Sequence, residues 1–357
     1  MIWRARHGSR QSAGVAEQVR ISPAVRRGRP HSNRRNAPAI LLIAEHEDLA
    51  ADLLVRALAN SGACIVRFSQ EDLGDSITGT WDSRKGSIVL RTPYGIFNER
   101  SVRSAWFRRF ARRVRRPTSR ASLVDVERVA FLDGIAATAP WQWINNPWAV
   151  SRAENKIWQL RVASTLGLRV PPTLIGNDLT SLRSFARGRD LVAKPLATST
   201  YLSKGQQLGL YTMPISHEIL QSHEDIVRVS PLVFQRKLEP RREWRITVVG
   251  NRVFAATLEV DPAKRAEVDI HLVPSENINI KARKLPRRLE TACCQLVAQL
   301  GLLYGAIDLI EDQRGSCFFL EINPSGQWGW IEAATQYSIT EALAERLLAG
   351  GPGETHE

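Results

Sequence analysis

The run "AIDLIEDQRGSCFFLEINP", residues 306–324, constrains this chain more than any other segment. Two β-rich stretches flank Arg314-Gly315 and read as a hairpin. A turn centred on that pair sets 313 opposite 316 and 312 opposite 317. Continuing the ladder places Asp308 directly opposite Glu321, with Asn323 on the same face because strand side chains alternate. Like charges directly opposed in an antiparallel pair are destabilising, and these two sit among apolar neighbours. Something cationic should lie between them; a solvated hairpin end with incidental acids is the alternative.

Asp, Glu and Asn oxygens are hard ligands suited to magnesium rather than zinc. Magnesium keeps waters and shares its shell with phosphates, so a magnesium–nucleotide complex is the natural occupant. Three cations fit the same picture. Lys194 lies in "VAKP", where alternation sets it on one face with Val192, and a lysine there is costly to bury unless it meets an anion. Lys156 sits on a helix beside Gln159 and Trp158. Arg245 enters the β-rich run "EWRITVV" beside Glu243. Each has an ordinary reading as a surface lysine or an intra-strand ion pair. Together with the carboxylates they outline a triphosphate site, without the G-x-x-x-x-G-K-[ST] loop of P-loop enzymes.

At 357 residues the chain has room for two or three packed units. No apolar run approaches the roughly 20 residues a membrane span needs. Cys64, Cys293, Cys294 and Cys317 show no metal-ligand spacing, which suggests a reduced, cytoplasmic protein. The formal net charge is +13. Nine arginines fall within residues 1–36 and nine more between Arg100 and Arg120, while the whole chain has eight lysines. So general an arginine bias weakens the case for a dedicated phosphate-binding stripe. Residues 1–37 read as a basic disordered tail, with 351–357 a second tail.

Order should begin near Pro38 with a β-α-β unit: strand 39–44, a helix whose inner face is Leu49, Leu53, Leu54, Ala57 and Leu58, then a second strand. A helix at 156–166 should bury Ile157, Leu160, Ala163 and Leu166. The stretch 197–211 is small and polar enough to be mobile. Gly250-Asn251 marks a two-residue hairpin turn.

Taken in order, helix lysine, strand Lys-Pro, Gln-rich strand, E-x-R hairpin and Asp…Glu-x-Asn, the chain resembles the ATP-grasp superfamily. More narrowly it is similar to the ribosomal peptide maturases that make graspetides, with ribosomal-protein glutamate ligases as further relatives. The match runs from about residue 40 to 350 through "AWFRR" (105–109), "WINNPWA" (143–149), "AENKIWQL" (153–160), "FQRKLEPRREWRITVVGNRVFAA" (234–256) and "FLEINPSGQWGWIE" (319–332). The resemblance implies a mixed α/β and α+β ATP-grasp fold. A pre-ATP-grasp α/β domain would span 38–147, a central lobe 148–238, and a C-terminal lobe with the metal site 239–350. Lys156 and Lys194 would contact ATP phosphates, and the strand through Gln235, Lys237 and Leu238 would present backbone to adenine. Asp308, Glu321 and Asn323 would hold two Mg2+ ions, with Mn2+ an accepted substitute. Arg245 would steady the transferring phosphoryl group, with Lys194 beside it in catalysis. The implied partner is a precursor peptide bound through its leader, near 197–211, with a homodimer as assembly and neither membrane nor nucleic acid expected. The family's Asp-aromatic-Arg becomes Asp269, Ile270 and His271. Either His271 changes how the acceptor carboxylate is placed, or it is a plain loop residue.

Two other functions remain open on the residues alone. One is a ligase adding free amino acids to a protein or small molecule. The other is a nucleic-acid-binding protein in which Trp106, Phe107 and Phe110, interleaved with arginines, stack on bases.

Overall fold

The computed structural model describes residues 38–108, 119–197, 200–203, 206–222, 224–261 and 269–350, together with the strand pair Arg6–His7. The β-α-β opening forms as read. Ala39–Ile43 is buried along its whole length and pairs in parallel with Cys64–Phe68 and Val102–Phe107; Gln142–Ile144 completes a four-stranded parallel sheet. Parallel neighbours need a crossover, supplied first by the helix Leu49–Leu58, which Asp48 caps by accepting from the Ala51 amide. This helix buries Ala50, Ala51, Leu54 and Leu58 and leaves Ala57 exposed. Its inner face is turned from the expected one because Ile339–Ala349 packs on it as well, in one shared core. A three-stranded antiparallel sheet (Thr78–Asp82, Ser87–Thr92, Gly95–Asn98) turns Ile88, Leu90 and Phe97 into a second core.

Two further antiparallel sheets follow. One has the order Met213–Ile215, Leu191–Pro195, Leu232–Arg236, Thr173–Gly176. The other has the order Ile278–Ala282, Arg252–Val260, Pro240–Val249, Tyr304–Asp312, Cys317–Asn323. Helices Pro147–Ala153, Lys156–Thr165 and Arg287–Gln299 cover one face of the five-stranded sheet. The expected inner face of Lys156–Thr165 holds at Ala163, with Leu160 and Leu166 packed against the core, but Ile157 is 53% exposed and Gln159 and Val162 are buried in addition. A polar residue wins the inner position because it hydrogen-bonds the sheet edge, as shown below. Gly250-Asn251 is the two-residue turn expected, with Val249 paired to Arg252 and Gly250 at φ +59°. Residues 200–209 hold a hairpin of Thr200–Ser203 and Gln206–Gly209, and Arg6–His7 adds a third strand to its edge. These strands fall within the stretch expected to be mobile and the tail expected to be disordered. The remainder of 1–37, together with 351–357 and Phe110 with the arginines around it, lies outside the described residues. Among the described residues no helix is long and apolar enough to cross a membrane.

The last hairpin reaches the expected pairing by an unexpected route. Its turn has three residues, not two: the Asp312 amide donates to Ser316 O, Gly315 takes the left-handed conformation at φ +78°, and Glu311, not Asp312, pairs with Cys317. A three-residue loop with glycine in that position is a standard hairpin connection. It moves the ladder by one residue, which would send Glu321 into the core. A β-bulge between Phe319 and Glu321 moves it back. Leu320 is the extra residue, so Asp308 pairs with Glu321 and Ala306 with Asn323. Phe319 and Ile322 therefore both point into the core while Leu320 and Glu321 both face the opposite side.

Deleting Leu320 should leave Asp308 and Glu321 paired, because the two halves of the ladder then join without a step. The expected outcome is a folded protein whose thermal midpoint is a few degrees lower and whose hydrogen-exchange protection across Tyr304–Asp312 is retained. Loss of that protection would contradict the register described.

Candidate active site

A cleft of about 310 Å³ opens between the four-stranded and five-stranded sheets. Val192, Lys194 and Gln235 line it from the first sheet, and Arg245, Asp308, Leu320 and Glu321 from the second. One row across the five-stranded sheet carries the charges: Ala256 pairs with Arg245, Arg245 with Asp308, and Asp308 with Glu321. Arg245 Nη1 donates to both Asp308 oxygens at 2.9 and 2.8 Å, and its guanidinium lies 5.8 Å from the Trp330 ring. Burial opposes its charge, but Asp308 more than compensates and holds the guanidinium above the usual arginine range. Lys156 starts its helix immediately after the cap Asn155 and donates to Glu321 Oε2 at 2.5 Å. The cation demanded between the two acids is thus supplied from both sides.

Lys194 is different. It is half-buried, and among the described residues its ammonium makes no hydrogen bond or ion pair. Burial pushes its ammonium below the usual lysine range, and neighbouring Lys156 pushes it the same way against the pull of Glu321. A cation placed so is short of one anion. Gln235 and Lys237 also line the cleft, and each is engaged. The Gln235 amide donates to Thr173 Oγ1 at 2.9 Å, the Lys237 N–H donates to Asp190 O at 2.7 Å, and Lys237 Nζ pairs with Glu239 at 2.9 Å. Leu238 lines the cleft in the segment connecting the two sheets. Asp269 closes the far wall, accepting from the Thr212 amide at 2.9 Å. The His271 side chain lies outside the described residues.

Several residues hold this row in place; Asn323 is already a candidate ligand, while the sequence alone assigns no role to Gln159, Asn145, Tyr304 or Arg108. Gln159, 3% exposed, donates to Ile322 O and accepts from the Ile322 amide, bolting the Lys156 helix to the strand of Glu321. Asn323 Oδ1 accepts from the Ser325 amide and starts a tight turn. Asn145 clamps that turn: its amide donates to Tyr304 O and Pro324 O, and its oxygen accepts from the Leu303 and Tyr304 amides. Tyr304 Oη donates to Gly326 O at 2.7 Å and Arg108 Nη1 to the same carbonyl at 3.2 Å. Arg108 is 1% exposed, pairs with Asp48 through Nε at 2.7 Å, and has Trp106 and Trp328 within 5.6 and 5.5 Å. Polar residues in otherwise apolar strand ends, "SAWFR" and "WIN", were the available signals. Trp106 and Phe107, two of the three aromatics in the base-stacking reading, are 2% and 5% exposed and belong to the core.

Asp308 and Glu321 on one floor, with Asn323 two residues on, form a hard-oxygen donor set that fits magnesium sharing its shell with water and phosphate. Among the described residues no three His, Cys, Asp or Glu side chains gather as a self-sufficient metal site. All four cysteines are free, and burial raises each thiol, Cys293 to about 12.

No family model and no curated protein matches the chain. Solved structures do. The macrocyclase MdnC of Microcystis aeruginosa MRC, solved with precursor peptide MdnA, is 24% identical with a TM-score of 0.75, over 87% of this chain and 100% of that one. A Chryseobacterium gregarium RiPP-associated ATP-grasp ligase, in complex with ADP and a leader and core peptide, is 23% identical with a TM-score of 0.75, over 88% and 98%. The macrocyclase MdnB of Microcystis aeruginosa MRC is 27% identical with a TM-score of 0.70, over 88% and 100%. The chain has the ATP-grasp fold, in the arrangement of the RiPP-associated ligases and macrocyclases to which it is similar.

Proposed function

We propose that this protein is an ATP-dependent ligase that activates a carboxylate as an acyl phosphate and joins it to a hydroxyl or amine, forming side-chain esters or amides in a ribosomally made precursor peptide. The observation that carries the reading is the row Arg245–Asp308–Glu321 on the floor of the cleft, with Lys156 and Lys194 converging on it. The similarity to macrocyclases solved with precursor peptides supports the choice of substrate class. Each of the three units 38–147, 148–238 and 239–350 contains its own principal sheet, although helices Pro147–Ala153 and Lys156–Thr165 pack on the sheet of the third unit and Ile339–Ala349 packs on the first.

In this reading a carboxylate oxygen of the peptide attacks the γ-phosphorus, and the bond from phosphorus to the ADP oxygen breaks. A serine, threonine or lysine side chain then attacks the acyl carbon, loses its proton, and expels phosphate. One water is removed per bond formed. Magnesium, bound as one or two ions or replaced by Mn2+, would neutralise charge on the phosphates and be held by Asp308, Glu321 and Asn323. Lys194 supplies the cation that lacks an anion in the free protein, Lys156 exchanges Glu321 for phosphate, and Arg245 faces the transferring group. Leu238 and the backbone beside Gln235 and Lys237 border the adenine. This chemistry is positioning and charge neutralisation, with no covalent enzyme intermediate. The reading extends to a graspetide product, a cytoplasmic homodimer, and leader capture near the 200–209 hairpin.

Lys194→Ala and Glu321→Ala should each lower ADP release by about a hundredfold or more, the scale of removing one charge-stabilising group, while the protein stays folded. Near-normal turnover in either variant removes that residue from the mechanism. Mass spectrometry of a threonine- and acid-rich peptide after incubation with ATP and magnesium should show loss of one water per linkage. Gain of an amino-acid residue's mass would favour the ligase for free amino acids instead.

Lys194 also sets a stability trade. Its ammonium titrates lower in the folded protein than in the unfolded chain, so protonation favours unfolding. That penalty is complete below the lowered value and fades as pH rises toward the ordinary lysine range. Lys194→Met should therefore raise the thermal midpoint of the nucleotide-free protein at neutral pH, with the gain shrinking in alkaline buffer. A midpoint that falls at neutral pH would show that the lysine is not strained.

A further inference from the structure

Among the described residues, none before Val192 lines the cleft, so the N-terminal parallel sheet takes no direct part in its walls. Two side chains nevertheless cross from that sheet to the turn behind the charged row: Asn145, just after the strand Gln142–Ile144, which donates to Pro324 O, and Arg108. Arg108 follows the strand Val102–Phe107, and its Nη1 donates to Gly326 O. We propose that Arg108 is a positioning residue: by holding the Gly326 carbonyl it fixes the peptide against which the Arg245 guanidinium rests. The proposal rests on the ligase reading above, in which Arg245 faces the transferring phosphoryl group.

The geometry of Gly326 makes the link. A Cβ at this position would stand 2.5 Å from Ala306 Cβ and 3.2 Å from Arg245 Nη2, so the α-carbon lies directly against the row of charges. The carbonyl of the same residue is gripped by Tyr304 Oη and Arg108 Nη1 together. Two residues on, Trp328 is fully buried and meets Trp106 and Tyr304 edge to face, at 6.0 and 5.5 Å between ring centroids. The turn is thereby held on its carbonyl side and pressed on its α-carbon side. Arg245 lies between that peptide and Asp308.

Stability alone does not call for an arginine here. A buried ion pair is often no better than an apolar side chain of similar volume. Arg108 Nη2 also has no hydrogen-bond partner among the described residues. What a guanidinium does offer is two jobs from one rigid plane, an ion pair through Nε and a donor to a carbonyl through Nη1; a lysine ammonium cannot reproduce that fork. Outer residues that orient the groups in contact with a reacting centre commonly carry 10–100-fold effects when replaced.

The test uses the full chain with ATP, magnesium and a peptide substrate. Arg108→Lys keeps a charge for Asp48 and loses the grip on Gly326, and Tyr304→Phe removes the second donor with little change of shape. The expected result is a kcat lower by about tenfold or more for Arg108→Lys and a smaller fall for Tyr304→Phe. KM for ATP and calorimetric binding of magnesium-ADP should stay near wild type in both. Unchanged kcat in a folded Arg108→Lys protein overturns the proposal. So does a fall in kcat matched by an equal loss of magnesium-ADP binding, which would mean that the whole cleft has collapsed. If Arg108→Lys does not fold, Tyr304→Phe decides by the same split. A wild-type protein that neither binds magnesium-ADP nor turns over ATP overturns the ligase reading itself, a result distinct from either variant's failure.

Discussion

Two carboxylates opposed across a strand pair repel each other, and in this protein Asp308 and Glu321 are opposed beside a buried core. Such an arrangement persists only if cations stand against both. Arg245 stands against one and Lys156 against the other, brought from different elements, so the pairing ties a hairpin strand and a helix to the same point. Lys194 approaches with its charge uncompensated by any ion pair among the described residues. The site is therefore nearly neutral at its floor and one anion short at its wall, which is the balance a phosphate group with its metal would complete.

Much of the surrounding structure exists to keep that row in register. A three-residue turn and a one-residue bulge each shift the ladder, and their effects cancel at Glu321. Gln159 bonds both the amide and the carbonyl of Ile322, fixing the strand just beyond the carboxylate. Asn145 satisfies four backbone groups with one side chain and joins the strand of Asp308 to the turn after Asn323. These buried amides are fully paired, and that makes them rigid rather than merely tolerated. The N-terminal sheet thus contributes order to a cleft it does not line.

The sequence carried the elements well where one physical signal dominated. A run of five buried residues marked the first strand, Gly250-Asn251 marked the turn between Pro240–Val249 and Arg252–Val260, and Asp308 and Glu321 are opposed as expected. It misled where two effects compete. The inner face of the Lys156 helix looked apolar through Ile157, yet Gln159 occupies it because the sheet edge offers backbone partners that only an amide can satisfy. The hairpin arithmetic gave the right pair from the wrong turn, since a bulge leaves no mark in composition. Arg108 read as one of many arginines, and nothing local distinguishes a buried guanidinium from its solvated neighbours; only the distant residues Asp48, Trp328 and Gly326 do.

The central claim is that Asp308 and Glu321 face each other to take a divalent ion together with a nucleotide. Calorimetric titration of ADP into the wild-type protein, with magnesium and again with a chelator, tests it most directly. Saturable uptake that needs magnesium is the predicted result. No uptake, or equal affinity with and without the metal, would contradict it.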